Sequence, residues 1–359
     1  MNKRISGIDP LRGMAALAIF GCHISQYWLA ATPTPKIVTN ILANAGHSVD
    51  LFLVISGTCL ALPLVGRPGR FDRSVFLKRR AFRLLPPYYI ALALASALAL
   101  STVTWRLVVA QRASAFDVVV HALFLQAAVP GRSGTINGSL WTVAMEVQLY
   151  LCFPALLWLR KRWSINRLLV TTAALSIAWR LLAQLHAPGT LGSQWLFPAR
   201  LVQFVAGMWV AEQLVGARTV SKASLRAVLV ISATVGLVVS TLRIDSLDAV
   251  AWTVPAACLI LLVSDVDESR GITKWLGGVG AISFSYYLLH QPIELLAQPL
   301  AHRLTSGWAG LLGLGGVLSL LALVPARIFY HVVELPSQKR SRRVGAQGRL
   351  SEARTTIDA

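Results

Sequence analysis

Residues 11–31, LRGMAALAIFGCHISQYWLAA, form an apolar stretch long enough to cross a membrane as one helix. A spanning α-helix needs about 20 mostly apolar residues. Arg12 and His23 interrupt the stretch, so we expect a retained first span rather than a cleaved signal peptide. Similar stretches recur along the chain, which predicts an all-α fold, a polytopic membrane helix bundle of about ten transmembrane helices. The predicted spans are 11–31, 41–65, 84–104, 139–160, 166–186, 196–216, 225–243, 247–264, 279–300 and 308–332.

The composition of the chain excludes an ordinary soluble protein. Its 359 residues are 55% hydrophobic and only 14% charged, whereas soluble domains carry about 25% charged residues. The formal net charge of +19 comes from 34 Lys and Arg against 15 Asp and Glu. These basic residues cluster in short segments between apolar stretches, as they do in the cytoplasmic loops of membrane proteins. We therefore expect the lipid bilayer as a partner, and no nucleic acid.

The charge of the loops orients the predicted bundle. With the N-terminus inside, most Lys and Arg residues fall in inner loops, which predicts cytoplasmic N- and C-termini. The apolar segment 115–129 is short, so we expect an interfacial or re-entrant helix there. Residues 1–336 form one membrane domain in this interpretation. Residues 337–359 form a polar cytoplasmic tail that we expect to be disordered.

The cysteines give no sign of a metal site or of a disulfide framework. All four lie in apolar stretches, and none forms a Cys-x-x-Cys pair. We therefore predict no bound metal.

Arg12 and His23 are expected to project from one face of the first helix. Eleven positions at about 100° each bring the two side chains within about 20° of one another. The rise between them is about 16 Å, which places Arg12 near the inner mouth and His23 in the outer half of the bilayer. Ionisable groups at such depth usually face a cavity or a partner. In the simpler alternative, Arg12 reaches the lipid headgroups and His23 is a hydrogen-bonded packing residue.

Further polar residues fall at similar depth in other predicted spans. The second span carries an acid and a serine, the fourth a glutamate flanked by amide and aromatic side chains, and the ninth a histidine. Because several spans bring such groups together, we expect a shared polar cavity. The two aromatic residues also suit a membrane-interface belt. The candidates are Asp50, Ser56, Trp141, Glu146, Gln148, Tyr150 and His290.

The loop 66–83 is strongly basic. Arg80 and Arg83, three residues apart, lie near one face of a helix and can grip a phosphate group together. Pro86 and Pro87 are expected to fix the chain where it enters the third span. A phosphate-bearing donor from the cytoplasm suits this arrangement. Alternatively, the loop only stays inside and contacts anionic lipid.

At these residues the chain resembles membrane acyltransferase family 3, the O-acyltransferases of bacterial surface glycans and glycosides. Arg12 and His23 match the family's Arg-x10-His opening, and the resemblance covers roughly residues 5–336. Thr58, Thr142 and Val147 depart from the family's usual aromatic, serine and acidic residues. The other matching motifs are DLFLVISG (50–57), RRAFRLLPPY (79–88), WTVAMEVQLY (141–150), SFSYYLLHQP (283–292) and ELP (334–336).

The resemblance implies an enzyme of the bacterial inner membrane. It implies an acyl-CoA, most simply acetyl-CoA, as co-substrate rather than as a tightly bound cofactor, and a hydroxyl of a glycan or glycoside as acceptor. His23 would be the general base, Glu146 would orient it or stabilise its charge, and Ser56 would bind the acyl oxygen or relay the acyl group. The residues implied to bind the substrates are Arg12, Asp50, Arg80, Arg83, Trp141, Gln148, Tyr150 and His290.

Two other functions fit a polar intramembrane cavity. A transporter or flippase of a glycoside or an organic acid would use the cavity without a thioester. Such proteins commonly contain inverted repeats, and no convincing repeat is evident in the sequence. A membrane scaffold would bury ionisable side chains without using them, which costs several kcal/mol. We therefore prefer the O-acyltransferase.

Overall fold

The computed structural model describes residues 5–66, 71–101, 113–185, 195–216 and 220–344, and within these ranges the chain is helical without strands. The all-α prediction is confirmed. The α-helices are α1 (Ile8–Tyr27), α2 (Lys36–Asn44), α3 (Ser48–Ala61), α4 (Arg73–Ser101), α5 (Ala115–Ala122), α6 (Trp141–Arg160), α7 (Ile165–Leu185), α8 (Leu201–Val215), α9 (Lys222–Thr241), α10 (Asp245–Ala251), α11 (Thr253–Val263), α12 (Gly271–Ala281), α13 (Ser283–Leu304), α14 (Trp308–Leu321) and α15 (Leu323–Phe329).

Seven helical segments of the described chain are long and apolar enough to cross a membrane, by length and composition. They coincide with seven of the predicted spans. The remaining three predicted spans, 11–31, 196–216 and 279–300, correspond to α1, α8 and α13, which are helical but richer in polar side chains. The count of ten and the orientation of the termini stay predictions. The seven segments are Lys36–Leu64, Arg73–Leu100, Gly138–Arg160, Ile165–Leu185, Lys222–Thr241, Asp245–Val263 and Trp308–Val344.

Two of the other three helices, α8 and α13, direct polar side chains into the protein. Gln203 of α8 and His290, Gln291 and Glu294 of α13 are almost completely buried. Polar groups at membrane depth are tolerated where they face the interior of a bundle. An interior position therefore explains how α8 and α13 carry these polar residues.

Helix α4 begins at Arg73, earlier than the predicted span, so the basic segment is itself helical. Arg80 and Arg83 consequently lie one turn apart on one helix, as their spacing predicts. The helix continues through Pro86 and Pro87, which were expected to mark its entry. Proline removes a backbone donor and disfavours helix interiors, but the apolar residues that follow keep the helix packed in the bundle.

The segment predicted to be interfacial forms the short helix α5, whose eight residues are too few to cross a bilayer. Ser114 and Asp117 form a capping box at its N-terminus. Burial opposes ionisation of Asp117, but hydrogen bonds from Ser114 and Thr135 and the nearby Arg132 guanidinium lower its pKa. The hydroxyl of Tyr88 donates to the carbonyl oxygen of His121 at 2.7 Å, which ties α5 to α4.

The chain stays helical beyond the predicted domain boundary at 336. A π-helical turn at Tyr330–Glu334 follows α15, and residues 335–344 continue as helix. Ser341 donates to the carbonyl oxygen of Arg79 at 2.7 Å, and Ser337 donates to that of Phe82. The first part of the predicted tail is thus ordered, because its serines pair with carbonyl groups of α4. Residues 345–359 lie outside the described residues.

Helices α3 and α8 cross at two glycines. A Cβ atom on Gly57 would overlap the carbonyl oxygen of Phe204, and one on Gly207 would overlap that of Val54. Small residues permit such close backbone approach in membrane proteins. Since Ser56 immediately precedes Gly57, this crossing sets the position of a predicted site residue.

We expect Gly57→Ala and Gly207→Ala to lower stability by about 3 kcal/mol, because overpacking must separate two backbones. Gly313→Ala is the matched control, since a Cβ there meets nothing within 4 Å, and alanine favours a helix over glycine. Thermal unfolding in detergent measures the difference. A Gly57→Ala protein as stable as Gly313→Ala would refute the close crossing.

Candidate active site

A cavity of about 1160 Å³ lies among α1, α3, α4, α6 and α13. It is large for a small-molecule site, since such pockets commonly measure about 300–1000 Å³. The predicted site residues that line it are Arg12, Ser56, Arg80, Arg83, Glu146 and Tyr150. His23, Asp50, Trp141, Gln148 and His290 are not among its lining residues. The predicted shared cavity therefore exists, but it holds only part of the predicted set.

Arginine side chains give the cavity a strongly basic wall. Arg80 stands 5.7 Å from the ring centroids of both Phe76 and Tyr150, which hold its guanidinium by cation–π contacts. Arg12 forms a 3.4 Å ion pair with Asp9 at the same cavity. Guanidinium groups bind phosphate bidentately, so this wall suits a polyphosphate anion. The lining arginines are Arg12, Arg79, Arg80, Arg83 and Arg342.

Glu146, which lines the cavity, accepts hydrogen bonds from two hydroxyl groups. Ser56 donates to its Oε1 at 3.0 Å, and Tyr150 donates to the same oxygen. The two hydroxyl oxygens are 3.3 Å apart. The proposed pairing of Glu146 with His23 is not formed, because Glu146 faces α3 near the arginines while His23 lies three turns beyond Arg12. The carboxylate instead orients the hydroxyl of Ser56.

The contacts of His23 show which of its ring nitrogens can accept a proton when the imidazole is neutral. Its Nδ1 lies 3.0 Å from the amide oxygen of Gln26, and the amide nitrogen of Gln26 donates to Cys22 Sγ at 3.5 Å. An amide oxygen only accepts, so Nδ1 carries the proton and Nε2 is left as the acceptor. The side chain is half-buried. This tautomer is the one that a general base requires.

A series of ring contacts leads from the cavity to His23. Tyr287 lines the cavity, and its ring centroid is 5.1 Å from that of His290. The His290 ring in turn lies 5.1 Å from the His23 ring. Phe52 meets Tyr287 edge-on at 6.4 Å and lines the cavity too. Phe52 and Tyr287, which we call the aromatic partition, are therefore the part of the cavity wall that leads, through Tyr287, to the two histidines.

Asp50 belongs to a buried ion pair rather than to the cavity. Its carboxylate accepts from Arg200 Nε at 2.9 Å, from Gln203 at 3.3 Å and from His47 Nδ1 at 2.8 Å. The side chain is completely buried. A buried carboxylate needs such partners to offset its lost hydration. In this structure Asp50 therefore joins α3 to α8.

Trp141 and Gln148 also contact neighbouring segments. The Trp141 ring lies 4.6 Å from the Trp195 ring, with the Arg200 guanidinium 5.0 Å from its centroid. The side-chain oxygen of Gln148 accepts from the backbone N–H of Phe197 at 3.1 Å. These contacts hold α6 against the segment that leads into α8. Their predicted contact with substrate stays a prediction.

Sequence reasoning did not select three buried residues near the site, which are Tyr287, Glu294 and Glu334. Glu334 accepts from the backbone N–H and the hydroxyl of Ser285, and it lines the cavity together with Tyr287. Glu294 is completely buried on α13. Glu294 follows His290 by four positions, so the rule that identified His290 as an ionisable group within a span applied equally to it.

Comparison with known proteins identifies the family of the chain. The sequence profile of the acyltransferase domain, family 3, matches residues 5–327. The chain belongs to membrane acyltransferase family 3. The family resemblance seen in the sequence is thereby confirmed. No solved structure matches the chain significantly.

Three relatives carry names that agree with the family. "Acyltransferase MdmB" of Streptomyces mycarofaciens is 25% identical over 94% of this chain and 92% of its own length. "Putative membrane-bound transacylase BcsY" of Komagataeibacter xylinus is 28% identical over 90% of this chain and 82% of its own. "Putative peptidoglycan O-acetyltransferase YrhL" of Bacillus subtilis is 29% identical over 44% of this chain and 24% of its own.

Proposed function

We propose that this membrane acyltransferase moves an acyl group, acetyl from acetyl-CoA, to a hydroxyl of a carbohydrate or glycoside. The observation that carries the proposal is the arginine-lined cavity that ends at the aromatic partition beside His23. A donor with several phosphates and a long flexible arm fits this shape. The source of the relatives supports a bacterial protein, and we assign it to the inner membrane with both termini in the cytoplasm.

In this proposal the arginines hold the donor phosphates at the cytoplasmic end. The arm of the donor passes Ser56, Glu146 and Tyr150, whose hydroxyl and carboxylate groups hydrogen-bond its amides. The thioester then reaches the aromatic partition. Arg12 and His23 are separated by a rise of about 16 Å along α1. In this proposal the extended arm of the donor spans that distance.

The transfer step uses the free Nε2 of His23. This nitrogen takes the proton of the acceptor hydroxyl as its oxygen attacks the thioester carbonyl carbon. The carbon–sulfur bond then breaks, and the departing thiolate takes the proton from the imidazolium. An oxygen ester and free CoA result, with no net change in protons. The step needs no covalent acyl-enzyme.

The test uses purified protein in proteoliposomes, acetyl-CoA labelled in the acetyl group, and a panel of methyl glycosides. We expect label to appear in a glycoside as an alkali-labile ester, with one CoA released per ester. Passage of a glycoside through the vesicle wall without consumption of thioester would contradict the proposal and favour the transporter. Protein-free vesicles provide the baseline for spontaneous hydrolysis.

A further inference from the structure

Glu294 is a completely buried carboxyl group whose two oxygens have no hydrogen-bond partner among the described residues. Transfer of a polar group from water without a hydrogen bond is unfavourable by several kcal/mol. A buried polar group that is left unsatisfied in a native structure therefore calls for a specific explanation. The other buried acids of the bundle do not share this state, since Asp50 and Glu334 are both paired.

His290 presents a second unpartnered acceptor on the same face of α13. Its Nδ1 donates to the carbonyl oxygen of Tyr287, so its Nε2 is the acceptor of the neutral ring. That Nε2 is buried without a hydrogen-bond partner in the described chain. Residues four apart on a helix lie one above the other, so Glu294 is one turn beyond His290.

Helix α1 faces these two residues with the proposed base. The His23 ring lies 5.1 Å from the His290 ring and stacks on the Tyr27 ring at 5.7 Å. Tyr27 accepts a hydrogen bond from Gln291, the residue next to His290. His23, Tyr27, His290, Gln291 and Glu294 thus form one cluster, which we call the outer cluster.

The unpartnered atoms of the outer cluster define the chemistry of their ligand. His290 Nε2 is an acceptor, and the carboxyl group of Glu294 offers acceptor oxygens, one of which also donates when the group is protonated; no cation pairs with them among the residues that the structure describes. The complement is a neutral molecule with several adjacent hydroxyl donors. Gln26 is exposed and His23 half-buried, so the outer cluster borders the protein surface at these residues.

We infer that Glu294 and His290 form the acceptor subsite, in which they bind hydroxyl groups of a polyhydroxylated substrate and present a neighbouring hydroxyl to His23. This inference rests on the proposed acyl transfer and names the residues that select its acceptor. Thioester and acceptor then approach the base from opposite ends of α1. Glu294 is a specificity-determining residue in this arrangement, and His23 performs the proton transfer.

The test measures acetyl transfer to the methyl glycoside that the wild-type protein acylates best. We expect Glu294→Gln and Glu294→Leu to raise the KM for the glycoside about ten- to a hundredfold, with the KM for acetyl-CoA unchanged. Leu300→Ala, which truncates an exposed side chain of α13, is the control and keeps the wild-type KM for the glycoside. Equal glycoside KM values in wild type and both Glu294 variants would overturn the inference.

Deoxy glycosides separate recognition from folding. A glycoside that lacks the hydroxyl bound by Glu294 should have a higher KM than the parent glycoside with the wild-type protein, and the same KM as the parent with Glu294→Leu. The effects of removing the hydroxyl and of removing the carboxyl group should therefore not add. We also expect Glu294→Gln to unfold at the wild-type temperature or above, because the carboxyl has no partner to lose. Additive losses, or a marked fall in unfolding temperature, would identify Glu294 as structural and overturn the inference. If the wild-type protein transfers no acetyl group to any glycoside, the proposed function itself fails, which is a different result.

Discussion

Replacement of His23 by alanine is expected to reduce acyl transfer by about 10²- to 10⁴-fold, the usual contribution of a positioned general base. The sugar hydroxyl is a weak nucleophile, and in the structure the free Nε2 of His23 is the acceptor that can take its proton. Binding of acetyl-CoA should be unchanged, because His23 does not line the arginine-lined cavity to which we assign the donor phosphates. The measurement is the rate of ester formation in proteoliposomes, together with donor binding.

The control for this variant is His302→Ala, which removes an exposed imidazole at the end of α13. Both proteins should insert into membranes and unfold at temperatures close to the wild type. A correctly inserted His23→Ala protein that acylates the glycoside at the wild-type rate would contradict the assignment of the base. His290 would then be the next candidate, since its Nε2 is also free among the described residues.

Removal of the guanidinium groups of Arg80 and Arg83 is expected to weaken donor binding. Each charge-assisted contact with phosphate is worth about 1.5–3 kcal/mol, so each alanine variant should raise the KM for acetyl-CoA about ten- to a hundredfold. The turnover rate at saturating donor should change little, because these arginines line the cavity and His23 does not. The effect should shrink at high salt.

Acetyl-pantetheine provides the discriminating control, since it carries the thioester without the nucleotide phosphates. Transfer from this donor should be equally slow in the wild type and in both variants. Arg226→Ala, which removes an exposed basic residue outside the cavity, should leave acyl transfer from both donors unchanged. If Arg80→Ala slowed transfer from both donors equally, or only lowered the amount of protein in the membrane, the basic wall would set the membrane topology rather than bind the donor.

The local part of this site could be predicted from the sequence. Helical periodicity and spacing are properties of one segment, so Arg12 and His23 could be placed on one face of α1, and Arg80 and Arg83 on one face of α4. The same is true of the short helix at 115–122. Each inference needed only the residues of its own helix.

The partners of buried groups could not be predicted in this way. Which side chain of another helix meets a buried acid depends on how the helices pack, and apolar lipid-facing surfaces carry no pattern that identifies the neighbour. Glu146 was therefore assigned to His23, although it binds Ser56 and Tyr150. For the same reason the buried partners of Asp50, and the order of residues 337–344 against α4, could not be foreseen.

The most direct test of the account uses bromoacetyl-CoA, which places an electrophilic carbon where the acetyl group of the donor lies. The protein carries Cys22→Ala and Cys59→Ala, because Cys59 lines the cavity and Cys22 adjoins His23. The account predicts alkylation of the His23 imidazole, found by mass spectrometry of the peptide and prevented by excess acetyl-CoA. Specific alkylation of another cavity residue, with His23 unmodified, would contradict the claim that a thioester bound at the arginines reaches this base.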